Sequence, residues 1–139
     1  MHALLVSSLL LFAWTCLARS NGALQKVAVK GRLLCGTAPA INVTLKLVDE
    51  DIGFDDKLNQ GTTNPHGEFY LEGESNEKRS IDPLLKIYHE CIDHFICERE
   101  WKLGIPKDYI AWNNRNLKVF NIGTFNLELK PRSEKRDCA

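Results

Sequence analysis

Alternation of apolar and polar side chains limits this chain to strands over most of its length. Within residues 25–35, Val27, Val29, Leu33 and Cys35 fall on one face while Lys30 and Arg32 fall on the other. Further on, Ile41, Val43, Leu45 and Leu47 point one way, and Asn42, Thr44 and Lys46 the other. A period of two marks a half-buried strand and excludes an amphipathic helix, whose apolar positions follow a 3.6-residue period. Gly36-Thr37-Ala38-Pro39 separates these runs as a turn. A short strand over 58–62 leads into the turn Asn64-Pro65-His66-Gly67, where Gly67 supplies the φ > 0 of a tight hairpin, and Phe69 and Leu71 begin the return. Alternation resumes through Leu85, Ile87 and His89, and again through Arg99, Trp101, Leu103 and Ile105. In the last strand, over 117–130, the apolar phase flips between Phe120/Ile122 and Phe125/Leu127/Leu129, which places a bulge at Gly123. About seven short strands with turn signals between them predict an all-β chain, a sandwich of two antiparallel sheets.

Export is the second expectation. Residues 3–18 are apolar almost throughout, and Ala18-Arg19-Ser20 offers the small residues of a signal-peptidase site. The run is shorter than the roughly 20 residues of a membrane-spanning helix. Residues 1–20 therefore read as a secretory signal peptide and 21–139 as one domain, with no later candidate for a transmembrane helix. Arg19 is the one Lys or Arg of that leader, so 17 Lys and Arg remain against 18 Asp and Glu. Such balance gives no reason to expect nucleic acid or an anionic membrane as partner. The tail over 130–137 mixes both signs and reads as solvated.

Once Cys16 leaves with the leader, Cys35, Cys91, Cys97 and Cys138 remain, enough for two disulfides in an oxidising compartment. Four cysteines allow three connectivities, and sequence does not choose among them. Proximity favours Cys91 with Cys97, which would leave Cys35 with Cys138.

Several residues are candidates for chemistry. Asn42-Val43-Thr44 is an N-glycosylation sequon with Asn42 on the polar side of its run, so a secreted glycoprotein is expected. His89, Cys91, His94 and Cys97 could be drawn as a zinc site, but an oxidising space favours disulfides, and no metal is assigned. Asp49, Glu50, Asp51, Asp55 and Asp56 crowd one loop without EF-hand spacing. They read as a solvated candidate binding loop, and Trp112, beside a polar stretch, as a candidate contact anchor. No nucleophile elbow or phosphate-cradling glycine loop is present, so neither catalytic residues nor a cofactor are assigned.

Four segments also carry a resemblance: Val29-Lys30-Gly31-Arg32-Leu33-Leu34-Cys35, Lys46-Leu47-Val48-Asp49-Glu50-Asp51, Ile81-Asp82-Pro83-Leu84-Leu85-Lys86-Ile87-Tyr88-His89-Glu90-Cys91 and Phe120-Asn121-Ile122-Gly123-Thr124-Phe125-Asn126-Leu127-Glu128. Together with the ending Arg136-Asp137-Cys138, they resemble the nematode transthyretin-like family over nearly the whole mature chain. The resemblance implies a secreted protein with the prealbumin-like sandwich. Pro39-Ala40-Ile41-Asn42-Val43 and Gly61-Thr62-Thr63-Asn64-Pro65-His66-Gly67-Glu68 are similar to transthyretin itself, matching Lys30 and Glu68 to the charged pair at the mouth of its hormone channel. The rest of that site is not recognisable, and a cysteine-tied tail opposes the tetramer that forms the channel. The related hydroxyisourate hydrolase needs channel histidines and a C-terminal Tyr-Arg-Gly-Ser, where this chain has Lys30 and Arg136-Asp137-Cys138-Ala139. The resemblance thus implies neither hormone carriage nor hydrolysis.

The function expected is extracellular recognition, with the loops of a disulfide-bonded sandwich presented to a receptor, surface lipid or protein partner, by a monomer or dimer rather than a tetramer. The alternative is a carrier of a small apolar ligand, in a channel or between the sheets.

Overall fold

The computed structural model describes residues 22–93 and 96–138, so the expected leader and His94 lie outside the described residues. Among those described, the strands are β1 (Ala23–Cys35), β2 (Ala38–Pro39), β3 (Thr44–Asp49), β4 (Asp56–Thr62), β5 (Glu68–Glu77), β6 (Pro83–His89), β7 (Glu98–Gly104), β8 (Ala111–Trp112), β9 (Val119–Asn126) and β10 (Lys135–Asp137). They form two sheets packed face to face. In the first, β1 is central, with β5 antiparallel on one flank and β8 and β9 on the other. The second runs β10-β7-β6-β3-β4 and is antiparallel throughout. This is the expected prealbumin-like sandwich, with one departure: β9 pairs parallel to β1. The register slips opposite Lys30 and Arg32, at the Gly123 bulge that the phase flip requires, and Gly123 has φ 78°.

The core forms where the inward faces meet. Val27, Val29 and Leu33 of β1 lie against Leu45 and Leu47 of β3, Leu85 and Ile87 of β6 and Trp101 of β7, all buried. Gly67 closes the β4–β5 hairpin at φ 76°, and a Cβ there would lie 2.3 Å from the Leu33 carbonyl oxygen. The close approach exists because the Leu33 N–H donates to the Gly67 carbonyl (2.8 Å).

Three expectations are corrected. The disulfides are Cys35–Cys91 and Cys97–Cys138, with Cα separations of 5.7 and 4.5 Å. β1 and β6 belong to different sheets yet finish at the same end, so the cysteine at the end of β1 meets the one just past β6 across the sandwich. Cys138 reaches Cys97 because the tail is no solvated coil: its Asp137 stands opposite Glu98 as β10 pairs along β7. Finally, Ile41 is 52% exposed and Asn42 has φ 57°, because both belong to a turn that precedes β3 rather than to the strand.

Buried Arg99 joins the tail segment to the core. Its Nε and Nη2 donate to Glu134 Oε1 (2.6 and 2.5 Å), Nη1 to the Cys91 and Leu127 carbonyls (3.1 and 2.8 Å), and Nη2 also to the Leu129 carbonyl (2.5 Å). Trp101 Nε1 donates to the same Glu134 oxygen (2.9 Å). Burial alone would raise the Glu134 carboxyl, but these bonds outweigh it and hold it below the usual glutamate value.

Candidate functional site at the open end

Strand direction gives the sandwich two unlike ends. At one, β1 and β6 finish and β7 starts, and both disulfides and Asn42 gather there. The other end collects the β3–β4 loop, the β5–β6 turn and the β7–β8 connection, and carries no disulfide among the described residues. Both candidate binding features, the acidic loop and Trp112, lie at this second, open end.

Two buried polar side chains, Gln25 and Asp49, organise it. Gln25 donates through Nε2 to the Arg79 carbonyl (2.7 Å) and accepts from the Ile81 N–H at Oε1 (2.9 Å), which shapes the β5–β6 turn. Asp49, expected in a solvated loop, is instead buried at the end of β3 and accepts from the Asp82 N–H (2.8 Å), while the Glu50 N–H donates to the Asp82 carbonyl (2.9 Å). Lys107 pairs with Asp82 from the β7–β8 connection (3.0 Å).

These contacts clamp the β3–β4 loop at its start, and Lys86 clamps its far side by pairing with Asp55 (2.5 Å). Hydrogen bonding to Lys86 holds the Asp55 carboxyl below its ordinary value. Between the clamps, Ile52 is 98% and Phe54 72% exposed. The loop is therefore an apolar tip in an acidic collar. The carboxylate cluster also takes in Glu77 of β5, which with Asp49 and Asp56 brings one oxygen each within 4.8 Å. Burial, and then the charge of Asp49, push the Glu77 carboxyl up.

Trp112 stands opposite Gln25 on β8 and is 39% exposed. The turn after it has Asn113, Asn114 and Asn116 at φ 55°, 60° and 52°, a left-handed conformation that asparagine tolerates better than other side chains. The candidate contact anchor thus sits on a strand beside the polar turn. Sequence reasoning named the carboxylates here but not Ile52, Phe54 or Glu77; the usable signal was two large apolar residues that fit no strand period.

The described members of the cysteine–histidine cluster, Cys91, Cys97 and His89, take structural roles. Cys91 and Cys97 are spent in different disulfides. His89 Nδ1 accepts from the Cys91 N–H (3.1 Å), which leaves the proton of the neutral ring on Nε2. That atom is buried without a hydrogen-bond partner among the described residues, and the ring meets Trp101 edge-on, with centroids 5.4 Å apart. Burial, then the charge of Arg99, lower its pKa from 6.5 to about 4.

Comparison with known proteins decides the family. The model of the transthyretin-like family matches residues 30–106. The chain is 43% identical over 117 residues to transthyretin-like protein 33 of Caenorhabditis elegans, covering 82% of each chain. It is 47% identical to transthyretin-like protein 46 of that organism, covering 81% of this chain and 65% of the relative, and 37% identical to its transthyretin-like protein 5, covering 88% and 94%. This chain belongs to the transthyretin-like family.

Within this transthyretin-like sandwich, the residues matched to the hormone-channel mouth do share a face. Lys30 and Glu68 are both exposed and border a groove of about 300 Å³ on the outside of the first sheet, together with Arg32, Asn121 and Thr124. Glu68 stands opposite Arg32 rather than Lys30, which faces Tyr70. The transthyretin-like tail occupies the edge of β7 over Glu98–Glu100 and is locked there by Cys97–Cys138. Covering an edge in this way blunts it against pairing with another chain.

Proposed function

We propose that this transthyretin-like protein is exported and works outside the cell as a recognition module, binding rather than catalysing. The observation that carries this reading is the β3–β4 loop, anchored on both sides yet holding Ile52 and Phe54 in solvent. Isolated apolar residues on a surface are ordinary, but two on one fixed tip offer a partner contact area at small entropic cost. The acidic collar fits a partner surface with an apolar socket rimmed by lysine or arginine, and Trp112 adds an aromatic contact at the same end.

Other features support export and presentation. The leader and the two disulfides suit an oxidising space. A glycan on Asn42 would stand at the disulfide end, leaving the loops clear. The tail over β7 favours a monomer or dimer over a tetramer.

The test uses labelled, fully oxidised protein taken from the medium of secreting cells and applied to intact cells. Wild-type protein should bind saturably, and Ile52→Ser/Phe54→Ser should bind at least about tenfold more weakly, given roughly 1.5–3 kcal/mol for each apolar side chain buried. Equal binding by the wild type and a variant with an unchanged circular-dichroism spectrum would sink the reading.

A further inference from the structure

An apolar groove between the uncovered edge of β7 and β9 has no part in that reading, although Lys102 at its border also acts on Asp55 of the β3–β4 loop. β10 pairs with Glu98–Glu100 and stops, so the edge of β7 continues uncovered from Trp101 to Gly104. The facing edge of the other sheet is β9. Chain crossing from β9 to β10 overhangs the gap, and the space beneath, about 330 Å³, is lined by Trp101, Leu103, Phe125, Leu129 and Pro131, with Lys102 and Lys130 at its border. Trp101 and Phe125 pack edge to face with centroids 6.4 Å apart.

The polar groups around this floor are already satisfied. Trp101 Nε1 donates to Glu134, that carboxylate is neutralised by Arg99, and the Leu129 carbonyl accepts from Arg99. Little here calls for a polar ligand body. Leu129 is nonetheless 59% exposed, leaving apolar surface open to water. The charges at the border are of one sign, and among the described residues neither Lys102 nor Lys130 makes a contact ion pair, although the Lys102 charge also acts at longer range on Asp55. An occupant matching both features has an apolar body and a single anionic head.

We propose that this groove binds a medium-chain fatty acid, its acyl chain against Trp101, Phe125 and Leu129 and its carboxylate between Lys102 and Lys130. The volume is at the small end of ligand cavities, which run from about 300 to 1,000 Å³, and so suits one chain rather than a two-tailed lipid. The site differs from the proposed recognition loop in place and chemistry, so either can fail without the other.

Trp101 is a built-in reporter. In the oxidised mature protein carrying Trp112→Phe, decanoate below its micelle concentration should change the fluorescence of Trp101 saturably. Decanol, with the same chain and no charge, should bind about tenfold more weakly, and Lys102→Gln/Lys130→Gln should remove that preference. Leu129→Glu, at a half-exposed position that leaves the core intact, should abolish the change. Absence of a saturable signal with decanoate overturns the proposal, as does equal affinity for decanol or an undiminished preference in the double lysine variant.

Discussion

Replacing Arg99 with methionine should be among the most damaging single changes available to this chain. The side chain is 1% exposed, yet its donors reach Glu134 and the carbonyls of Cys91, Leu127 and Leu129. Methionine preserves much of the volume and none of those bonds. Three carbonyls lose a donor and a carboxylate with 15% of its side chain exposed loses its counter-charge. Breaking a buried pair by removing one partner costs about 3–5 kcal/mol, and water entering beside the half-exposed Leu129 should relieve part of the carbonyl cost. A loss of about 4 kcal/mol is expected, a large share of a domain's usual 5–15 kcal/mol. Urea unfolding with the disulfides intact measures it, and hydrogen exchange should show protection lost selectively between Leu127 and Glu134. Arg99→Met/Glu134→Gln should cost at least about 1 kcal/mol less than the two single changes added together, because the second change removes the stranded charge. A loss under about 1 kcal/mol for Arg99→Met would refute the claim that this guanidinium holds the tail segment to the core.

Three further outcomes follow from the same contacts. Cys97→Ser/Cys138→Ser opens a loop spanning 41 residues and should cost up to about 4 kcal/mol in urea unfolding, with self-association on gel filtration as β10 leaves the β7 edge; an unchanged midpoint would contradict this. Stability should be level above pH 7 and fall as pH drops from 6.5 towards 4, because the unfolded chain takes up a proton that buried His89 refuses, by up to about 3 kcal/mol. Acidification below 4.5 then removes the contribution of Glu134, whose folded pKa is depressed; His89→Gln should flatten only the first part of the curve. Gly67→Ala, placing a Cβ 2.3 Å from the Leu33 oxygen at φ 76°, should lose about 2–3 kcal/mol in a thermal melt, and a loss under about 0.5 kcal/mol would contradict the close approach.

The strands that could be read from the sequence were those whose two faces meet different surroundings. Leu45 and Leu47 alternate with half-buried Thr44 and Lys46, and Phe69 and Leu71 alternate with exposed Glu68 and Tyr70 on β5, because these stretches have one face on the core. β10 left no such mark. Lys135-Arg136-Asp137 has no apolar face, and it is a strand only because β7 offers an edge and Cys97 a covalent partner. The cysteine pairing was hidden for a related reason: proximity along the chain says nothing about two strands from opposite sheets ending together. Parallel pairing of β9 with β1 is likewise a property of topology, although Gly123 correctly signalled the bulge. At the open end, the carboxylates were visible as composition, whereas Glu77 joins them only through the fold. Arg99 shared the inward phase of Trp101 and Leu103, and a charged residue in that phase is the signal from which its buried network could have been suspected.

Everything claimed for the two unlike ends depends on which cysteines are joined. Non-reduced peptide mapping of protein recovered from the medium of secreting cells, using a protease that cuts at Asp93 to separate Cys91 from Cys97, reads this directly. Peptides linking Cys35 to Cys91 and Cys97 to Cys138 are the expected result. A Cys91–Cys97 bridge, or thiols free to react without reduction, would contradict it.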